Sequence, residues 1–141
     1  MHEMSANEVR EFLSAGTRTA HLATVRGNGK PHVAPVWFVL DGDDLIFTTG
    51  ADTAKGRNLQ RNPNVCLSID QPSPQYSFVQ ITGEASLSED KDELLRWATI
   101  IGGRYMGPEQ AAGFGARNAV EGELLVRVAP TKIIAIAELA D

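Results

Sequence analysis

The chain has 141 residues, 43% of them hydrophobic and 22% charged, which is ordinary globular usage, far from that of a disordered chain, and fits one domain, residues 1–141. Thirteen Lys and Arg against 18 Asp and Glu give a formal charge of −5, so no global basic field exists to hold nucleic acid or an anionic membrane. Any anion site must be local.

From Ser5 the sequence S-A-N-E is a capping box, and Val9, Phe12 and Leu13 follow at i, i+3 and i+4. This predicts a short helix with one apolar stripe, stopped at Gly16. Residues 19–25 are rich in β-formers, and Gly27-Asn28-Gly29 is a turn signal leading to a second strand over 31–40. Asp41-Gly42-Asp43 supplies the next turn, and 45–49 reads as a third strand. Residues 53–62 turn helical until Asn62-Pro63, because a residue before proline is pushed out of the α region.

A fourth strand is predicted over 65–69, then a loop marked by Pro72 and Pro74, then a long fifth strand over 76–87 with Gly83 as a bulge. Residues 88–101 carry acidic residues first and then Leu94, Leu95, Ala98 and Ile101, the pattern of an amphipathic helix. The glycine-rich section 102–122 reads as irregular, with one turn of helix after Pro108. Two last strands, 123–128 and 132–139, are separated by Ala129-Pro130-Thr131. Six or seven short strands with a few helices predict a mostly β fold, an antiparallel barrel.

No apolar run approaches the roughly 18 residues of a spanning helix, and the opening MHEMSANEVREFL lacks a basic region followed by an apolar one. The expectation is a cytoplasmic protein. Cys66, the single cysteine, forms neither an internal disulfide nor a cysteine-rich metal site and reads as a buried thiol. With Asn28-Gly29 as the central turn residues, paired positions sum to 57, which sets His21 against Val36 and His32 against Val25. Roughly 13 Å then separates the two imidazoles, at 3.3 Å per residue, too far to share one ion. No metal site is expected. A nucleophilic catalyst is not expected either, since there is no G-x-S-x-G elbow and no basic residue near Cys66 in sequence.

Two segments carry candidate chemistry. In the first, Thr48-Thr49 end a strand, and the helix that follows bears Lys55 and Arg57 in its first turns. Cations at a helix start oppose the macrodipole, and a bound phosphate among exposed amides, hydroxyls and cations explains them. The alternative is a solvated basic helix face. In the second, Pro35 interrupts the strand His32-Val33-Ala34-Pro35-Val36-Trp37-Phe38 and removes a ladder donor. An aromatic ring system can lie on such a strand with Trp37 or Phe38 over one face. The alternative is an edge strand with core aromatics.

Taken in order and spacing, residues 19–25, the run 29–38, Lys55-Gly56-Arg57-Asn58-Leu59 with Asn62-Pro63, and Gly83-Glu84-Ala85 resemble the pyridoxamine-phosphate-oxidase-like superfamily. The F420-dependent branch is the nearest match. The similarity covers residues 13–87 and continues beyond them as strand pattern only.

The resemblance implies an FMN-binding type of split antiparallel barrel that dimerises through a sheet face, with cofactor clefts between subunits. It implies a phosphate beside Thr48, Thr49, Lys55 and Arg57, with Pro35, Val36, Trp37 and Phe38 along the ring. Tyr76 would approach from the facing strand or subunit, and Asn58 would fix the loop. The implied cofactor is coenzyme F420 and the implied activity a hydride transfer to a small electrophilic substrate, which needs no acid–base residue from the chain. An FMN-binding flavin reductase or oxidase and a non-enzymatic F420 carrier are the other readings. Pyridoxamine-phosphate oxidation itself is disfavoured, because the extended basic C-terminal motif of that enzyme is missing.

Overall fold

The computed structural model covers residues 1–141 and is built on eight strands, every pairing antiparallel. In chain order they are β1 (His2–Glu3), β2 (Ala20–Val25), β3 (Pro31–Val36), β4 (Val39–Asp41), β5 (Asp44–Gly50), β6 (Asn64–Gln71), β7 (Ser77–Ser88) and β8 (Glu123–Ala137). The sheet runs β3-β2-β6-β7-β8-β5-β4, with β1 added to β8. This is the mostly β split-barrel architecture. Four helices are set around it: α1 (Ala6–Ser14), α2 (Ala54–Arg61), α3 (Lys91–Met106) and α4 (Ala111–Asn118).

Alternation builds the core. In β2, Ala20, Leu22 and Thr24 point inward; in β6, Val65, Leu67 and Ile69 do; in β7, Ser77, Val79 and Ile81 do. Helix α1 adds Val9, Phe12 and Leu13 to the main cluster. Its capping box is present: Ser5 Oγ accepts from the Glu8 amide, and Glu8 Oε1 accepts from the Ser5 amide. A smaller cluster joins Leu94, Trp97 and Ile101 of α3 to Val39, Ile46 and Leu125.

Four expectations are corrected. The β2–β3 register sums to 56, not 57, so His21 faces Pro35 and His32 faces Thr24. The turn holds three residues, Gly27-Asn28-Gly29, with Arg26 and Lys30 paired and Gly29 at φ +84, the three-residue loop with a left-handed last residue. The two histidines are still three register positions apart, which puts them on opposite faces of the sheet. The strand expected over 31–40 breaks at Trp37-Phe38 into β3 and β4.

At the C-terminal end, the two strands expected around Pro130 are one, β8. The missing proline N–H falls at the register shift where Pro130 opposes Gly83, so a bulge absorbs what looked like a strand break. Section 102–122 is mostly helical: α3 continues to Met106 and α4 follows.

Candidate functional site

Helix α2 starts where β5 ends. Thr53 is its N-cap, with Oγ1 accepting from the Gly56 amide at 3.1 Å and donating to Gly50 O at 2.8 Å. Thr49 is buried and its hydroxyl lies 3.1 Å from Thr53 Oγ1. These two hydroxyls hold the strand–helix corner. Gly56 permits the corner, since a Cβ there would stand 2.0 Å from Gly50 O. The amides of Ala54 and Lys55, in the first turn, have no protein acceptor.

The predicted phosphate residues do not converge on one point. Thr48 and Thr49 are adjacent in β5 and therefore face opposite sides of the sheet. Lys55 and Arg57, two apart on a helix of 3.6 residues per turn, project roughly 200° apart. Lys55 lies in the field of Glu123, which opposes Gly50 in the β5–β8 ladder. Burial pushes the Glu123 carboxyl up, with Lys55 opposing and Asp52 reinforcing the shift. Arg57 lies on the other side, with Arg26, Gly27, Asn28 and Arg61 around a concavity of about 270 Å³. Asn58 is buried inside the corner: its Nδ2 donates to Thr24 Oγ1, and its Oδ1 accepts from Arg61 Nη2.

Along β3 and the break after it, Pro35 is exposed, Val36 and Phe38 are buried in the core, and Trp37 is 41% exposed. Only Trp37 offers a ring. One face of its indole is stacked on Tyr105, with centroids 4.8 Å apart and planes within 5°, and Phe114 of α4 lies 6.0 Å away. The Tyr105 hydroxyl accepts from the Phe38 amide and donates to Arg18 O. Arg104 donates to Phe38 O, Leu13 O and Gly16 O. Helix α3 thus pins the break that presents Trp37. Tyr76 is 45% exposed, just before β7, at φ +56 with its carbonyl accepting from the Leu139 amide; it makes no ring contact with Trp37.

A family described as "Pyridoxamine 5'-phosphate oxidase" matches residues 5–135. The chain belongs to the pyridoxamine 5'-phosphate oxidase family. Among solved structures, the conserved hypothetical protein Rv2991 from Mycobacterium tuberculosis is 27% identical with a TM-score of 0.82, covering 94% of this chain and 84% of that one. An F420 reductase is 28% identical with a TM-score of 0.68, covering 87% and 94%. HutZ, a heme storage protein from Vibrio cholerae, shares the fold at 23% identity and a TM-score of 0.75, covering 96% and 98%. No curated protein matches the chain.

Within this member of the pyridoxamine 5'-phosphate oxidase family, the donor set around α2 fits a phosphate-bearing cofactor. Two amides at the helix start are open, and Lys55 and the three arginines project on opposite sides of the helix. Two shielded polar atoms also lack protein partners, His32 Nδ1 on β3 and Glu123 Oε2 on β8. His32 is the register partner of Thr24, which Asn58 of α2 bonds, so both orphaned atoms lie on strands at that helix. Sequence reasoning passed over Arg26, Arg61, Glu123 and Tyr105, and weighed His32 as a metal ligand rather than as a neighbour of α2. The available signal was Arg57 and Arg61 at i, i+4 beside a tight turn carrying Arg26.

Proposed function

We propose that the protein is an F420-dependent oxidoreductase that transfers a hydride between the reduced deazaflavin and a small electrophilic substrate, acting as a homodimer with its cofactor clefts at the subunit boundary. The observation that carries this reading is the start of α2, where unpaired amides and Lys55 meet the end of β5. Helix-start amides and a cation are the donors a phosphate group takes. The 28% identity to an F420 reductase, covering 87% of this chain, supports the choice of cofactor.

When bound, F420 supplies the hydride. Lys55 and the first-turn amides would hold its phosphate, and Trp37, backed by Tyr105, would cover one side of its ring. With Tyr105 and Phe114 packed around it, Trp37 keeps water from one side of the reacting face. Thr49, Thr53 and Asn58 act as positioning residues, because their polar atoms are spent on the corner.

Titration of F420 and of FMN into the purified protein tests the reading, followed by cofactor fluorescence and absorbance. F420 is expected to bind at least about tenfold more tightly, about 1.4 kcal/mol. Equal or reversed affinities would move the function to a flavin reductase or oxidase of the same fold. Failure of the reduced holoprotein to turn over any quinone or unsaturated carbonyl compound would make it a carrier.

A further inference from the structure

We propose that the concavity between the β2–β3 turn and α2 is a binding site for a phosphate-class dianion, separate from the Lys55 side of the helix. It measures about 270 Å³ and is lined by Arg26, Arg57 and Arg61 together with Gly27, Asn28, Ala54 and Asn58. Ala54 is the one apolar residue in that lining, so a hydrocarbon ligand finds little to bury against.

The three guanidinium groups have no counter-charge. Ion pairs in this chain join His2 to Glu8 and Glu138, Arg10 to Asp43, and Arg127 to Asp41 and Asp44. None reaches Arg26, Arg57 or Arg61. Acidic residues outnumber basic ones in the sequence, yet three cations meet here without an acid. Arg57 and Arg61 do so at the i, i+4 spacing where like charges weaken a helix. An arrangement that opposes folding in this way is offset when an anion sits between the cations.

The site is also built. Arg61 Nη2 donates to Asn58 Oδ1 at 2.9 Å, and Asn58 Nδ2 donates to Thr24 Oγ1 at 3.0 Å. Asn58 is 3% exposed and Thr24 2%, so a buried polar chain anchored in β2 aims this guanidinium. The turn lies directly against it: a Cβ on Gly27 would be in ordinary contact, 3.4 Å from Arg61 Nε and 3.5 Å from Cζ. Arg26 is fixed at its stem, where its amide donates to Lys30 O and its carbonyl accepts from the Gly29 amide, each at 2.8 Å. Planar N–H forks held in place match the oxygens of a tetrahedral oxyanion better than a lysine point charge does. The dianion is either a free phosphate ester or the anionic part of the phosphate-bearing cofactor proposed above.

The probe is inorganic pyrophosphate, titrated calorimetrically into the full chain at fixed ionic strength. One equivalent per chain is expected to bind. Arg26→Gln and Arg61→Gln should each weaken binding about tenfold or more, while Lys91→Gln, which removes a cation from the start of α3, should bind as the parent does. Arg26 carries no side-chain hydrogen bond, so its variant keeps the test valid if Arg61→Gln fails to fold. No binding to the parent, unchanged binding by both arginine variants, or an equal loss in Lys91→Gln would overturn the proposal. A second arm identifies the source. If Arg26→Gln also weakens F420 binding and pyrophosphate competes with F420, the site takes the cofactor's anionic part; if F420 binding is unchanged, the site takes a separate phosphate ester. Either result supports the site, provided the pyrophosphate arm holds.

Discussion

Glu123 stands at the first position of β8, opposite the corner glycine Gly50, with Oε2 shielded and unpartnered. Burial raises its pKa, against the attraction of Lys55 and with the help of Asp52. A carboxyl whose folded pKa lies above its unfolded value favours folding while protonated, and that contribution is lost as pH rises through the folded pKa. The contribution of Glu123 to stability should therefore fall as pH climbs above the ordinary carboxylate range. Glu123→Gln keeps the shape and removes the titration, so it should be more stable than the parent near neutral pH and match it in acid. Thermal unfolding midpoints of both proteins across that range check the sign. A difference that stays constant with pH would mean that burial of this carboxyl costs nothing. An anion bound at Lys55, as proposed above, would compete with Glu123 for the same ammonium group.

At the scale of elements, the bulge between β7 and β8 is where the sheet bends. A Cβ on Gly83 would stand 2.6 Å from Ala129 O and 2.8 Å from Val128 Cγ1, both across the ladder. Gly83→Ala must push that backbone apart, and overpacking of this kind costs about 1–3 kcal/mol. Urea unfolding should show the loss as a lower midpoint with an unchanged slope; a change within about 0.5 kcal/mol would mean that the bulge yields freely. The same bulge explains one misreading of the sequence. Proline ends a strand in a one-dimensional pattern, whereas here Pro130 sits beside Thr131, the extra residue that β8 inserts at the register shift. The place of the bulge was legible at Gly83, because a lone glycine in a long strand pattern has few other uses, although the extra residue, Thr131, belongs to β8.

The helices after β7 show the converse. Section 102–122 read as irregular because glycine lowers helix propensity, but Gly102 and Gly115 are notches rather than breaks. A Cβ on Gly102 would meet Phe114 Cβ at 2.5 Å, and one on Gly115 would meet Thr99 Oγ1 at 2.0 Å. Only contact between α3 and α4 reveals that use, and no local pattern encodes it. Tyr105 was missed as the support of Trp37 for the same reason. The cation-bearing start of α2 was legible, because capping and charge are local. That Lys55 and Arg57 serve opposite sides of that helix follows from helical geometry, and which neighbours they meet follows only from the fold.

At the scale of the whole molecule, the accessible surface is 7614 Å², whereas a compact monomer of 15.2 kDa is expected to expose about 7,100 Å². Part of the excess lies on the outward face of the sheet. The ladders align Val33, Ala23, Cys66, Thr82 and Lys132 in one row, and Pro35, His21, Ser68, Gln80 and Ile134 in the next. The first row is small or apolar at three of its five positions, with Lys132 at its β8 end, and Val33 is 66% exposed, Ile134 39%. Isologous pairing of two such faces about a twofold axis buries these side chains and puts Trp37, at the end of β3, beside the boundary. The protein should therefore scatter light as a dimer of about 30 kDa at micromolar concentration. Val33→Glu, at a position 66% exposed within the chain, should shift it to the monomer and weaken F420 binding with it. A 15.2 kDa species in the parent would remove the dimer and the shared cleft together. A Val33→Glu variant that stayed dimeric would move the interface to another face of the barrel.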